Sequence, residues 1–169
     1  MALPEQPPLE ESRLILGWEE WIALPDLNLP AVKAKIDTGA KTSALHAENI
    51  ELYGPSASPR VRFAVRPVPR RPEIIVHGSA PVIDRRSITS SNGIPEARFV
   101  IPATIAIAGH TWRIEVSLSD RGEMSYRMLL GRQALLAGGV LIDPGMSFHQ
   151  PKLGLKLYPG YKRKAATRK

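Results

Sequence analysis

The chain has 169 residues, is 43% hydrophobic but only 6% aromatic, and carries a formal net charge of +7. This length fits one domain with a mainly aliphatic core, and the absence of cysteine excludes a disulfide framework and thiolate zinc sites. No apolar run approaches the roughly 20 residues of a spanning helix. The opening Met1-Ala2-Leu3-Pro4-Glu5 lacks the basic and apolar regions of a secretory signal, so a cytoplasmic location without a membrane partner is expected.

Residues 1–12, rich in Pro and Glu, read as a disordered N-terminal segment. Strand-like stretches follow at Leu14–Trp18 and Trp21–Leu24, then a turn over Pro25–Pro30. From Ala31 to Ile36 the pattern alternates. Val32, Ala34 and Ile36 face one side and Lys33 and Lys35 the other, which marks a half-buried strand running into Asp37. Residues 53–72 read as a Pro/Ser/Arg loop, interrupted by a short strand at Val61–Val65. Glu73–His77 is strand-like. One hairpin is expected from Val82–Thr89 and Ala97–Ile101 around Ser90-Ser91-Asn92-Gly93, because Asn-Gly is a strong turn signal. A second is expected from Thr104–Ala108 and Thr111–Leu118. Met128–Leu130 is a short apolar strand, 132–137 a short helix closed by Gly138-Gly139, and Val140–Ile142 a last strand. This succession predicts an all-β closed barrel with one short helix near 132–137. The domain is expected to span 13–150, followed by a basic C-terminal tail at 151–169.

The charge is uneven. Lys152, Lys156, Lys162, Arg163, Lys164, Arg168 and Lys169 are accompanied by no acid, and Arg60, Arg62, Arg66, Arg70 and Arg71 form a second cluster. Basic tails attract polyanions. No nucleic-acid module accompanies this one, so a solvated end is expected and nucleic acid is not an expected partner. Were the tail to bind nucleic acid, the association would be strongly salt-dependent and would vanish on removing residues 160–169.

Asp37 is the residue with the clearest chemical setting. An acid just past a buried strand stands on a rigid support. Gly39 allows a tight turn, and the Thr38 hydroxyl can bond neighbouring backbone. Asp-Thr-Gly alone occurs in many turns. A second feature lies downstream: Leu129-Leu130-Gly131-Arg132 leading into a short helix. Together, Ile36-Asp37-Thr38-Gly39-Ala40 and Leu129–Leu136 resemble the paired motifs of the retropepsins, the retroviral-type aspartic peptidases. The stretch Ala34–Ala47, with Ile83-Asp84-Arg85-Arg86, Arg98-Phe99-Val100 and Asp120-Arg121, is more similar still to a bacterial retropepsin-like branch. That branch is known as ATP-dependent zinc proteases and is related to RimB. Some of its members are associated with ATP-grasp glutamate ligases.

The resemblance implies a homodimeric aspartic endopeptidase in which each copy supplies one Asp37. Two facing carboxylates would share one proton: one oxygen acts as general base on a water, and the protonated one polarises the scissile carbonyl. Thr38, Gly39 and Ala40 would form the active-site loop. Ser90, Ser91, Asn92 and Gly93 would tip a flap, with a plain surface hairpin as the alternative. Gly131 and Arg132 would be structural. Retroviral members carry an acid where Lys41 stands, so Arg132 needs another partner, for which Asp120, Glu123 and Asp143 are candidates. Lys41, Arg85, Arg86 and Arg98 would favour an acidic peptide, and the ligase association points to an oligo-glutamate tail; a generic basic surface is the alternative. The competing class is a non-catalytic dimerisation or peptide-binding module partnering a glutamate ligase. The four histidines, His46, His77, His110 and His149, show no ligand spacing, and Gly39-Ala40-Lys41-Thr42 lacks the upstream glycine of a phosphate loop. No metal site and no cofactor are expected.

Overall fold

The structure is a computed structural model that describes residues 13–90, 92–120 and 125–161. The expectations for residues 1–12, Ser91, Glu123 and 162–169 lie outside the described residues. Among the described residues there are twelve strands: β1 (Ile15–Leu16), β2 (Glu19–Leu24), β3 (Leu29–Asp37), β4 (Ser43–His46), β5 (Glu48–Tyr53), β6 (Arg60–Val65), β7 (Val76–Pro81), β8 (Asp84–Thr89), β9 (Pro95–Ile107), β10 (His110–Ser119), β11 (Met128–Gly131) and β12 (Leu141–Ile142). One helix, α1 (Arg132–Ala137), lies between β11 and β12, at the residues where the sequence predicts it.

The main sheet has the order β10-β4-β11-β3-β2-β9-β8, and β9 also pairs with β10. Its alternating strands turn aliphatic residues inward. Ile22, Leu24, Leu29, Leu45, Ile101, Ile105, Met128 and Leu130 are fully buried. On β3 the alternation is clean: Val32, Ala34 and Ile36 are buried, whereas Lys33 and Asp37 are half-buried and Lys35 is exposed.

Three features differ from expectation. First, Ala97–Ile101 and Thr104–Ala108, read as strands of separate hairpins, are one strand, β9, running through Pro102. Its first half pairs with β8 as far as Val100, and its second half pairs with β10. Where β8 stops, one side of Pro102 has no strand partner, a setting in which a sheet tolerates proline. Second, the 53–72 stretch is not mainly loop. β6 is the central strand of a three-stranded sheet, β5-β6-β7, with Val61, Phe63, Ala64 and Val65 buried. The outward arginines are paired, Arg62 with Glu51 and Arg66 with Glu48, both at 3.0 Å.

Third, the chain from 151 to 161 is packed rather than free. A 3-10 turn at Leu155–Leu157 leads to Tyr158, only 2% exposed, whose hydroxyl donates to the Ala31 carbonyl on β3. Leu153, Leu155 and Tyr161 pack against the same core. Burial pushes the Tyr158 phenol up to about 12, against the opposing pull of the hydrogen bond to Ala31.

Tyr158→Phe is therefore expected to destabilise the fold by about 1–3 kcal/mol, because the Ala31 carbonyl is left without its donor. Chemical denaturation measures this. The folded phenol titrates near 12 rather than at its ordinary 10.0. Its contribution is thus complete below pH 10 and is lost as pH rises through 12. Wild type should show that decline and the Phe variant should lack it.

Candidate functional site

Asp37 ends β3, and its position is set by two neighbours. On one side, β11 runs parallel to β3 with Gly131 opposite Asp37. On the other, the chain turns at once: the Gly39 amide donates to Asp37 Oδ1 at 3.0 Å and the Ala40 amide to the Asp37 carbonyl at 3.3 Å. One carboxylate oxygen is thus held by the loop's own backbone.

The loop is clamped from the other end by the start of α1. The Arg132 amide donates to the Ala40 carbonyl at 2.7 Å and the Gln133 amide to the Lys41 carbonyl at 3.1 Å. The Arg132 guanidinium donates to the Thr38 carbonyl at 3.0 Å. The Arg132 side chain thus meets backbone of the Asp37 loop, and it has no acidic partner among the described residues. Among the candidates, Asp143 accepts from the Gly145 amide instead. Gly131 donates to Ser43 Oγ at 3.0 Å, and the Ser117 hydroxyl donates to the Ser43 carbonyl at 3.0 Å. A methyl group on Gly131 would lie 2.8–2.9 Å from Thr42 and Ser43 backbone atoms and the Ala40 carbonyl oxygen. Only glycine allows the helix and loop to approach this closely.

A cleft of about 750 Å³ lies between this loop and β8. Gly39, Ala40, Lys41 and Thr42 form one wall, Arg86–Thr89 the other, and Glu115 and Gln133 close it. Asp37 itself does not line it. Of the four cations expected to meet substrate, Lys41 and Arg86 are on the cleft. Lys41 is exposed, with no acidic partner among the described residues. Arg86 bridges Asp84 at 2.6 Å and Glu115 at 2.8 Å. These partners, Glu115 foremost, raise the Arg86 pKa; the Arg86 contact, followed by the Arg85 amide, lowers that of Asp84. Arg85 and Arg98 are elsewhere. The Arg85 guanidinium lies over the Phe99 ring, 4.9 Å from its centroid. Arg98 is buried and pairs with Glu96 at 2.9 Å.

The β8–β9 hairpin, whose β8 strand lines the cleft, ends in a tight turn. Ser90 Oγ donates to Asn92 Oδ1 at 2.7 Å, the Ile94 amide donates to the same oxygen at 3.0 Å, and Gly93 takes φ +77°. Two acids that sequence reasoning passed over, Glu19 and Glu20, are buried on β2. Glu20 accepts from the Gly17, His149 and Gln150 amides at 2.9, 3.2 and 3.0 Å. Glu19 accepts from the Tyr126 and Ser147 hydroxyls at 3.1 and 2.9 Å. Both act as internal braces.

No group of three or more His, Asp or Glu residues is arranged to hold a metal among the described residues. His46 lies on β4, His77 on β7 and His110 on β10. Among the described residues no helix is long and apolar enough to cross a membrane.

Residues 15–153 match a family model described as RimB-like, retropepsin-like aspartic endopeptidase RimB. The chain belongs to this family. It is also 44% identical over 140 residues to a Shewanella halifaxensis protein named probable alpha-L-glutamate ligase, which covers 83% of this chain and 30% of the relative. The chain thus spans about a third of that relative's length. Among solved structures, a Legionella pneumophila protein of unknown function superimposes with a TM-score of 0.67 and 30% identity, over 82% of this chain and 98% of that one. An EIAV protease in complex with the inhibitor HBY-793 aligns with 80% of this chain and 96% of its own at a TM-score of 0.41 and 16% identity.

The Gly131 contact yields a direct expectation. Gly131→Ala should destabilise the domain by about 1–3 kcal/mol through overpacking against backbone. Gly154→Ala, where an added methyl meets nothing within 4 Å, should be near neutral. Urea midpoints of the two variants make the comparison.

Proposed function

We propose that the chain is an aspartic peptidase whose water-activating pair is formed by the Asp37 carboxylates of two copies, acting in the cytoplasm on acidic, glutamate-rich peptides. In this reading the pairings that run from β10 around to β9 and back form a closed barrel, and the β8–β9 hairpin is a flap.

The observation that carries the reading is the interlock of the Asp37 loop with Gly131 and Arg132. It holds a half-buried carboxylate in one direction at the end of a rigid strand. Such preorganisation is what general acid–base chemistry requires of its acid. One Asp37 supplies only half of a dyad. Two carboxylates at hydrogen-bond range share one proton and titrate as a unit. The ionised member draws a proton from water as the water attacks the peptide carbonyl. The protonated member stabilises the oxygen and then protonates the leaving amine. A closing flap would exclude bulk water. Support for an acidic substrate comes from Lys41, exposed on the cleft wall with no acidic partner among the described residues; Arg86 opposite it is already engaged by Asp84 and Glu115.

Asp37→Asn should lower kcat/KM on a glutamate-rich peptide by about 10²–10⁴-fold while leaving thermal midpoint and elution volume unchanged. A wild type that elutes as a monomer under conditions of full activity would sink the shared dyad. Glutamate-rich peptides should be cut faster than glutamine-rich ones of equal length, and Lys41→Ala should narrow the gap. Equal rates for the two peptides would remove the acidic preference.

A second reading follows from the relatives' name: a non-catalytic module that dimerises or holds peptide beside an ATP-grasp glutamate ligase. A wild type that hydrolyses no peptide pool from acidic to neutral pH, yet binds glutamate-rich peptide, would favour it.

A further inference from the structure

A second concavity lies away from the Asp37 loop. It holds about 540 Å³ between β2–β3, the Pro67–Arg71 stretch and the C-terminal turn, and it is lined by Trp21, Lys33, Pro67, Pro69, Arg70 and Tyr161 among others. None of the cleft-lining residues is shared with it. The two prolines carry no amide donor and give one wall a fixed apolar shape.

Its electrostatics are one-sided. Lys33 stands opposite Trp21 across the β2–β3 ladder, with Nζ 5.7 Å from the Tyr126 ring centroid and 5.8 Å from that of Phe148. Arg70 is exposed, and neither it nor Lys33 has an acidic partner among the described residues. Arg71 also lines the groove, with Glu73 at 3.6 Å. The nearby Glu19 carboxylate is buried and already accepts from Tyr126 and Ser147.

We propose that this groove is a docking site for an acidic polypeptide segment, with Lys33 and Arg70 receiving its carboxylates. Charge complementarity selects an anion, and the aromatic contacts select its class. Tyr126 and Phe148 are faced by Lys33, Phe148 also stacks on Trp21 at 6.4 Å, and Tyr161 is covered by the Arg71 guanidinium at 5.1 Å. Single-stranded nucleic acid is held by rings open for bases to stack on; here these rings are engaged within the protein. A lysine lying over two rings is positioned and partly desolvated, which strengthens its attraction to a carboxylate.

The groove also has a direction. Lys33, Lys35 and Asp37 alternate on the same face of β3, and four residues of strand cover about 13 Å. A segment held at Lys33 can continue past Lys35 toward Asp37. The docking does not depend on the peptidase reading; only this continuation does.

The test is a fluorescence-anisotropy titration in an Asp37→Asn background, so that no probe is cut. The probes are a labelled oligo-glutamate peptide, an oligo-glutamine peptide of the same length, and a single-stranded oligouridine. Oligo-glutamate should bind and oligo-glutamine should not. Arg70→Gln and Lys33→Gln should each raise Kd by about tenfold, and each should cost more than Lys41→Gln in the cleft. Circular dichroism checks the fold of the Lys33 variant, and Arg70, exposed and outside any strand, provides the independent variant. The proposal is overturned if oligo-glutamate fails to bind, if Lys41→Gln causes the larger loss, if Arg70→Gln binds like its parent, or if oligouridine binds as tightly and suffers the same losses.

Discussion

The parallel pairing of β3 with β11 is the constraint on which the rest depends. It brings two stretches more than ninety residues apart into register, with Gly131 beside Asp37. From that one alignment the start of α1 falls under the loop after Asp37. The Arg132 amide and guanidinium then meet two carbonyls of that loop. No side chain larger than hydrogen fits at position 131, so a glycine that looks like a strand terminator is the point of closest contact between the two motifs. The buried Ser117–Ser43–Gly131 relay extends the fixation to β10 and β4. The acid at the end of β3 is therefore held by three elements from distant parts of the chain.

The two sides of the cleft are built on different physical terms. The loop side is held by backbone hydrogen bonds, which salt affects little. The β8 side is held near the cleft by Arg86, half-buried between Asp84 and Glu115. This ion pair is partly exposed and subject to screening. A rigid loop thus faces a strand wall that carries a screenable ion pair.

Much of this was legible in the sequence, for identifiable reasons. Alternation through Ala31–Ile36 marks a strand because its inward residues are aliphatic and its outward ones charged. The helix at 132–137 is bounded by glycines on both sides. What escaped was pairing at long range. A row of arginines at 60–71 gives no sign that Glu48 and Glu51 lie across the sheet from two of them. Arg98 resembles a surface cation until Glu96 and the sheet enclose it. Arg132 suggested a carboxylate partner, yet backbone carbonyls serve as well. Ala97–Ile101 and Thr104–Ala108 read as strands of two hairpins because turn signals are local, while the single strand that runs through Pro102 is supported by β10. The lysines and arginines after residue 151 read as a tail, yet Leu153, Leu155 and Tyr158 pack on the core and anchor that chain to β3 through Ala31.

The two-residue period of β3 has a consequence for how such a site can vary. Side chains on a strand have only two directions, inward or outward, and Asp37 shares its direction with Lys33 and Lys35. Inserting or deleting one residue between Leu29 and Asp37 would not tilt the acid by degrees. It would turn the carboxylate inward and Ile36 outward, and reverse every buried position along the strand. Deleting or adding two would restore the facing but shift the acid by about 7 Å, out of line with Gly131. The acid's placement therefore behaves as a counted quantity, and drift in chain length is confined to the loops on either side.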